Sequence, residues 1–493
     1  MITEILNIAE QYAWGIPSVV MLIGTGVVFM LLLRGLPIRM LPEAIRMAVG
    51  ITNNKSSEKN HKKQPEKEIT DRKHTNDDDA RHVSPMKALA TELATTIGTG
   101  NIIGVTGAMT IGGPGALFWM FLSCIPGLAT KLVESTMSVS YRMKDQKGEY
   151  LGGPMVTLVH AFPYKRMGRI LGMIYCIFAI LCAFGMGNMV QANAISVSAG
   201  NALGIAPITC GILLAMITII VIMGGTGRIT DFCMILVPVM GMLYIGGCIG
   251  VILMNIEHLL PALRLIVIGA FCPKAVCGGL FGTVSCTAGR CIICGVSRGV
   301  FSNEAGLGAS GISASGTGAK AVVQGYISMT GVFFDTAIIC LLTGIAIACS
   351  GVMGMASLGQ CRLMNGITVK EGDAAGLVLA AFEGCYGRYG VILLSVCIIL
   401  FAFATIIGWA YQGEKVWRFL TKCKATGIYR MIYGICVLPG AIFPLEIVWT
   451  LSNICNALLM IPNLVCLFVM GPDICDMIRK FDFDDAKRTG DSR

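Results

Sequence analysis

Apolar residues run along this chain in long blocks separated by short polar stretches, without the alternation that marks half-buried strands. A bilayer core about 30 Å thick needs roughly 20 helical residues per crossing, and the blocks have that length. Eleven spans are predicted, at 14–35, 86–109, 115–140, 170–198, 207–225, 231–254, 273–299, 324–350, 389–413, 429–447 and 449–471. Between Ile170 and Gly227 there is not one Asp, Glu, Lys or Arg, which excludes a water-facing surface over that stretch. Alternating segments of about ten residues, the mark of a membrane β-barrel, are missing. The prediction is an all-α polytopic membrane protein of about 11 transmembrane helices.

The polar stretches then set orientation. Placing 37–85 in the cytoplasm puts 141–169, the turn at Arg228, 300–323, 414–428 and 472–493 on the same side. With Arg298 and Arg430 at the borders of these segments, that side carries 29 Lys and Arg, against five on the other: Arg264, Lys274, Arg362, Lys370 and Arg388. By the positive-inside rule the N-terminus lies outside the cell membrane and the C-terminus in the cytoplasm. The net charge of +9 therefore reads as topology, with no nucleic acid as partner. Glu4 and Glu10 precede the first span where a signal peptide would be basic, so 1–36 is expected to keep an extra transmembrane helix. Residues 37–85, mixed in charge and poor in apolar residues, read as a solvated loop, and 472–493 as a tail.

Composition narrows the chemistry. The 21 cysteines are scattered through the spans as small apolar residues, and the lone C-x-x-C of Cys291 and Cys294 lacks a second pair. Neither a zinc site nor a disulfide framework is expected, and no cofactor. A catalytic site wants convergent His, Cys or carboxylate groups, and ATP-driven transport wants a phosphate loop; the spans offer His160 alone and no such loop.

Two spans are interrupted by small polar residues. In the second, Gly98, Gly100 and Gly104 bracket Thr95, Thr96, Thr99 and Asn101. A helix broken there exposes carbonyl oxygens for a desolvated cation and a half-helix N-terminus for a carboxylate. Small-residue helix packing explains the same composition equally well. In the seventh, Gly278, Gly279, Gly282 and Gly289 interrupt an apolar stretch. Paired broken spans in corresponding positions of two halves point to a transporter site near the midplane. Spans two to six and seven to eleven make two blocks of five, and an odd number inverts the second.

Charges within spans are costly, about 2.5–3.5 kcal/mol near a helix centre on insertion scales. Lys131 and Glu134 stand three apart on one face and are expected to pair. Asp335 could bind Na⁺, carry a proton, or anchor to backbone or Arg298. Glu304 is read as the start of a short cytoplasmic helix, with gating the sharper alternative. Arg290 is expected to snorkel, or to pair with Glu92 or Asp335.

Nine segments in order, TTIGTGNIIGV (95–105), GGPGALFWM (112–120), ATKLVESTMSVSYR (129–142), GEYLGGPM (148–155), GMGNMVQAN (185–193), SRGVFSNEAGLG (297–308), QGYISMTGVFFDT (324–336), FAFATIIGWAYQGEK (401–415) and IPNL (461–464), resemble the signatures of the alanine or glycine:cation symporters, also called sodium:alanine symporters. The resemblance implies a leucine-transporter-type 5+5 inverted repeat with an extra N-terminal helix. The repeats would be 86–254 and 255–471. It further implies Na⁺-coupled uptake of a small neutral amino acid, alanine or glycine, by alternating access, with H⁺ the alternative coupling ion. The partners expected are that amino acid and the bilayer, for a monomeric chain. By the resemblance, substrate contacts fall on Thr96, Gly98, Thr99, Gly100 and Asn101, on Gln191, and on Gly278, Gly279 and Gly282. Sodium falls on carbonyls near Ala94 and Ile97 with the Thr405 hydroxyl. Asp335 and Glu304 are candidates for coupling or gating. For Gln191 the plain alternative is an interhelical bond to Asn188 or Asn193. Glu92 stands where the family has a small residue, Ala404 where a hydroxyl is common, and Asn453 where an acid is expected.

Overall fold

The computed structural model describes residues 2–50, 83–271, 288–357, 360–363, 368–370, 372–443 and 446–481. Most of the charged loop, most of the tail, and Gly278, Gly279 and Gly282 lie outside the described residues.

The helices used below are α1 (Ile2–Ala13), α2 (Ile16–Leu32), α3 (Pro85–Thr96), α4 (Ile103–Gly112), α5 (Ala116–Ser140), α6 (Lys165–Leu203), α7 (Pro207–Met223), α8 (Gly225–Met254), α9 (Leu259–Phe271), α10 (Ala288–Asn303), α11 (Ala309–Ala314), α12 (Ala321–Ser350), α13 (Ala374–Tyr386), α14 (Arg388–Thr421), α15 (Thr426–Ile442) and α16 (Glu446–Lys480). Among the described residues, six helices are long and apolar enough to cross a membrane, and α2, α7, α13 and α15 are shorter apolar ones. The chain is a multi-pass membrane protein. On α7, Ile208, Ile212, Met216 and Ile220 are exposed at four-residue spacing, a stripe that suits lipid and not water. One two-stranded hairpin, Met143–Lys144 against Tyr150–Leu151, follows α5.

Local sequence explains several boundaries. Ser84 Oγ accepts the Lys87 backbone N–H at 3.3 Å and Pro85 opens α3, so the cap fixes where that helix starts. Pro126 lies inside α5, and Gly26 of α2 lies against its carbonyl and ring. A Cβ at Gly26 would stand 2.5 Å from the Pro126 oxygen, so only glycine permits that approach.

The predicted second span is two helices, α3 and α4, separated at 97–102. A second interruption separates α10 from α11 at Glu304–Gly308. The halves cross in opposite senses: α3 packs against α11, and α4 against α10. The two broken helices therefore run antiparallel through the middle of the bundle. Around them, α5 contacts α2, α10 and α12, while α14 contacts α3, α6 and α8. Helices α1, α9 and α13 lie outside the predicted spans.

Candidate functional site: a cavity between two broken helices

The first interruption is built from neutral groups. Ile97 and Gly98 are extended, and Gly98 N–H donates to Asn101 Oδ1 at 2.9 Å, closing the loop on itself. Thr95 and Thr96 hydroxyls bond back to the Glu92 carbonyl at 2.7 and 3.3 Å, the competition with the helix ladder that threonine offers. Gly98 is needed for closeness: a Cβ there would stand 2.8 Å from Thr405 Oγ1 of α14. One turn on, Gly408 of α14 lies against the Ala94–Thr95 backbone, again with no room for a side chain. Gln412 of α14 then donates to Thr95 Oγ1 at 3.2 Å and to Ser313 Oγ at 3.1 Å, tying α3, α11 and α14 together.

The second interruption is held by charges from α5. Lys131 Nζ donates to the Asn303 carbonyl at 2.9 Å and to Ser310 Oγ, and stands 3.2 Å from Glu92. Glu134 Oε2 accepts the N–H groups of Gly306 at 3.1 Å and Gly308 at 3.2 Å, and Asn463 Nδ2 at 3.0 Å. The expected Lys131–Glu134 pair is therefore replaced by a division of labour. The ammonium takes a carbonyl freed at the end of α10, the carboxylate takes amides freed beyond it, and Glu92 supplies the counter-charge. Each freed backbone group meets the sign it favours.

Asp335, where α12 follows a π-helical stretch over Phe333–Cys340, joins the two interruptions. It accepts from Asn101 Nδ2 at 2.5 Å, Ser302 Oγ at 3.1 Å and Thr336 Oγ1 at 3.0 Å. These side chains are its partners, in place of backbone or Arg298. Glu304 is not the start of a cytoplasmic helix. It follows the last residue of α10, 1% exposed, with φ at +54°. Arg290 is exposed, and Glu92 is taken up by Lys131.

Between the interruptions lies a cavity of about 170 Å³. Thr96, Gly98, Thr99, Gly100, Gln191, Glu304 and Thr405, all expected at a site, line it together with Ser302, whereas Ala94, Ile97, Asn101 and Asp335 do not line it. Asn101 is fully buried beside it. Gln191 accepts from Thr99 Oγ1 at 3.3 Å and donates to the Met186 carbonyl at 3.1 Å. Asn188 and Asn193 bond instead to the Tyr433 carbonyl and to the Gly440 and Phe443 carbonyls, so neither holds Gln191. The volume is well below the roughly 300–1,000 Å³ of drug-sized pockets and suits a small solute.

The cavity leans toward one end of the bundle. Its wall there includes Arg298, Phe301, Ala374, Trp449 and Asn453. Trp14 donates to the Asn453 carbonyl at 3.0 Å and meets the Phe301 ring edge-on at 5.5 Å, while Asn453 Nδ2 donates to Glu10 at 2.7 Å. The opposite end is closed by ions. Glu149, beside the hairpin, accepts from Lys415 at 2.9 Å, Arg418 at 2.6 Å and Thr226 at 3.0 Å; Arg418 also pairs with Asp145, and Arg430 grips Glu414 bidentately at 2.7 and 2.8 Å. Burial alone would raise the Glu149 carboxyl, but Lys415 and Arg418 outweigh it and hold it down to about 2.

Glu304 was expected as a coupling or gating residue, but Gln412, Arg298 and the helix break that follows Glu304 were not expected as parts of this site. The segment SNEAGLG held the available signal, five small or turn-forming residues around a carboxylate.

A small cavity between two antiparallel broken helices, with a few hydroxyl, amide and carboxyl groups set in a largely apolar wall, is the construction of a secondary transporter. The family model described as the sodium:alanine symporter family matches residues 1–493, and the chain belongs to that family. It is 34% identical to the sodium/alanine symporter AgcS of Methanococcus maripaludis over 97% of both chains. It is 30% identical to the probable sodium/glutamine symporter GlnT of Bacillus subtilis over 99% of this chain and 92% of that one. Among solved structures, MhsT in complex with L-phenylalanine superposes with a TM-score of 0.51 at 13% identity, covering 81% of this chain and 99% of that one. A Na⁺-coupled sialic acid symporter gives 0.52 at 13% identity, covering 86% and 82%. The fold is therefore leucine-transporter-like, and the chain is a secondary active amino-acid symporter.

Proposed function

We propose that this protein takes up a small neutral amino acid, alanine or glycine, coupled to Na⁺, by alternating access across the cell membrane. The observation that carries the reading is the first interruption. It faces a cavity of about 170 Å³ with hydroxyls, amides and glycine backbone, while the Thr405 hydroxyl reaches the Gly98 backbone from α14. Sodium is assigned to the carbonyls of Ala94 and Ile97 and to Thr405 Oγ1, since hard cations take oxygen ligands. The amino acid is assigned to Thr96–Asn101 and Gln191. Residues 86–254 and 255–471 are assigned as the two inverted repeats, acting in a monomer with Na⁺ as its coupling ion. With the N-terminus outside, the cavity opens outward and the Glu149–Arg418 cluster is the closed cytoplasmic gate.

The test is uptake of [³H]alanine into proteoliposomes under an inward Na⁺ gradient, with choline as the control. Accumulation in Na⁺ alone is expected; uptake indifferent to both Na⁺ and H⁺ gradients overturns the reading. Asp335, a buried carboxylate 2.5 Å from Asn101, favours a proton-coupled exchanger as the second reading. Asp335→Asn protein that still follows a pH gradient removes it.

A further inference from the structure

Glu304 is the residue of the second interruption that the scaffold leaves unmatched. Its neighbours are all engaged: Lys131 with Glu92, Asn303 and Ser310; Glu134 with the amides of Gly306 and Gly308; Asp335 with Asn101, Ser302 and Thr336. The Glu304 side chain is 1% exposed and lines the cavity, and its buried Oε2 meets no hydrogen-bond donor among the described residues. A buried carboxylate in a bilayer-spanning bundle demands a cationic or donor partner. Its φ of +54° is a left-handed torsion that non-glycine residues adopt at a cost, so this backbone holds an unsatisfied carboxylate in a strained position beside the cavity.

Charge sharpens the inference. Lys131 of α5 faces Glu92 of α3, Glu134 of α5, Glu304 and Asp335 of α12, so acids outnumber the ammonium available to them. Tyr175 and Cys182 of α6 are further titratable groups in the field of Glu304, and Arg298, lining the cavity's outer wall, lies 5.6 Å from the Phe301 ring. A zwitterionic cargo presents both signs. The first interruption offers donors to its carboxylate, and the second offers a carboxyl group with an unmatched oxygen.

We infer that the Glu304 carboxylate receives the ammonium group of the transported amino acid. This rests on the proposed function and names how the same cavity reads its substrate. The shared chemistry is a positive charge, and the test separates its three sources: substrate ammonium, Na⁺ and a proton.

Purified full-length protein is assayed for [³H]alanine binding by scintillation proximity, across Na⁺ concentration and pH. Wild-type protein that binds no amino acid sinks the functional reading and this inference with it. Given wild-type binding, Glu304→Gln is expected to raise the alanine Kd about 10- to 100-fold, the worth of a charge-assisted hydrogen bond, and to leave the Na⁺ midpoint unchanged. Glu304→Asp should fall between them. L-lactate, which carries a hydroxyl in place of the ammonium, should compete poorly with wild type, and the alanine-over-lactate preference should collapse in Glu304→Gln. An unchanged Kd, a loss explained by a shifted Na⁺ midpoint, or a loss explained by a shifted pH midpoint each overturns the inference. If Glu304→Gln fails to fold by size-exclusion chromatography, the aspartate variant and lactate competition against wild type decide. Wild type that binds lactate as well as alanine refutes it.

Discussion

The two helix interruptions solve one backbone problem in opposite ways. At 97–102 the freed groups are met by the segment's own side chains and by hydroxyls and amides: Asn101 on Gly98, threonines on Glu92, Gln412 on Thr95. At 304–308 they are met by a lysine and a glutamate from α5. Neutral support is worth about 1 kcal/mol per bond and can exchange with a ligand. Charged support inside a membrane is costly to disturb, because each partner left behind is an unpaired ion. The first interruption is therefore suited to opening around cargo, and the second to being the fixed wall against which cargo is held.

Breaking the charged support should have the largest effect. Lys131→Met strands Glu92 and the Asn303 carbonyl together, and losing one partner of a buried pair costs about 3–5 kcal/mol. Yield and thermal midpoint in detergent should fall sharply. Lys131→Met with Glu92→Gln should recover part of the loss, because the unpaired carboxylate is gone. A single variant as stable as wild type would show that the ion pair does not hold the second interruption.

The neutral side breaks by sterics instead. Gly98→Ala puts a methyl 2.8 Å from Thr405 Oγ1. Because the hydroxyl sits on a packed helix, α14 must shift, and the Na⁺ midpoint for uptake should rise at least about tenfold, or roughly 1.4 kcal/mol. Gly98→Ala with Thr405→Ala relieves the clash without returning the ion dependence, since the oxygen is gone. Recovery of Na⁺ affinity in that double variant would clear Thr405 of any role with the ion.

The contrast also explains what could be read from one chain. The first interruption is legible because its support is local: Gly, Thr and Asn lie within seven residues and announce a weak helix. The second is supported from elsewhere, by residues 131, 134 and 463, and no local window reports that. Glycine content therefore drew attention to Gly278–Gly282, upstream of the interruption at Glu304–Gly308. Lys131 and Glu134 showed as costly charges, but their i,i+3 spacing suggested mutual pairing, because the competing partners Glu92 and the freed backbone come from other helices. Glu92 and Asn453 are contact residues of Lys131 and of Trp14 with Glu10. Among the described residues, the six helices long and apolar enough to cross a membrane each overlap a predicted span, because bilayer thickness sets the length a crossing needs.

A smaller effect is expected where a neutral contact touches the cavity without carrying the backbone. Gln191→Leu removes the acceptor for Thr99 Oγ1 and the donor to the Met186 carbonyl. Neutral hydrogen bonds of about 0.5–1.5 kcal/mol each predict an uptake KM raised roughly 3- to 10-fold, with the thermal midpoint little changed. A collapse in stability instead would move Gln191 from the cavity wall to the scaffold.

The smallest effect lies outside the membrane, where charges support a loop in water's reach. Glu149 titrates at about 2 in the folded protein, against about 4.5 unperturbed. A depressed carboxyl contributes stability that is fully present above the unfolded value and is lost as pH falls through the folded one. The difference in thermal midpoint between wild type and Glu149→Gln should therefore stay constant from pH 8 to about 5. It should narrow only below about 4.5, as the unfolded carboxyl takes up its proton while the folded one still resists. Salt should shrink the same difference, because the carboxylate is partly exposed and screened. A gap that closes already between pH 7 and 5 would mean that Lys415 and Arg418 do not hold Glu149 ionised, and that the closed end of the bundle rests on the Arg430–Glu414 and Arg418–Asp145 pairs.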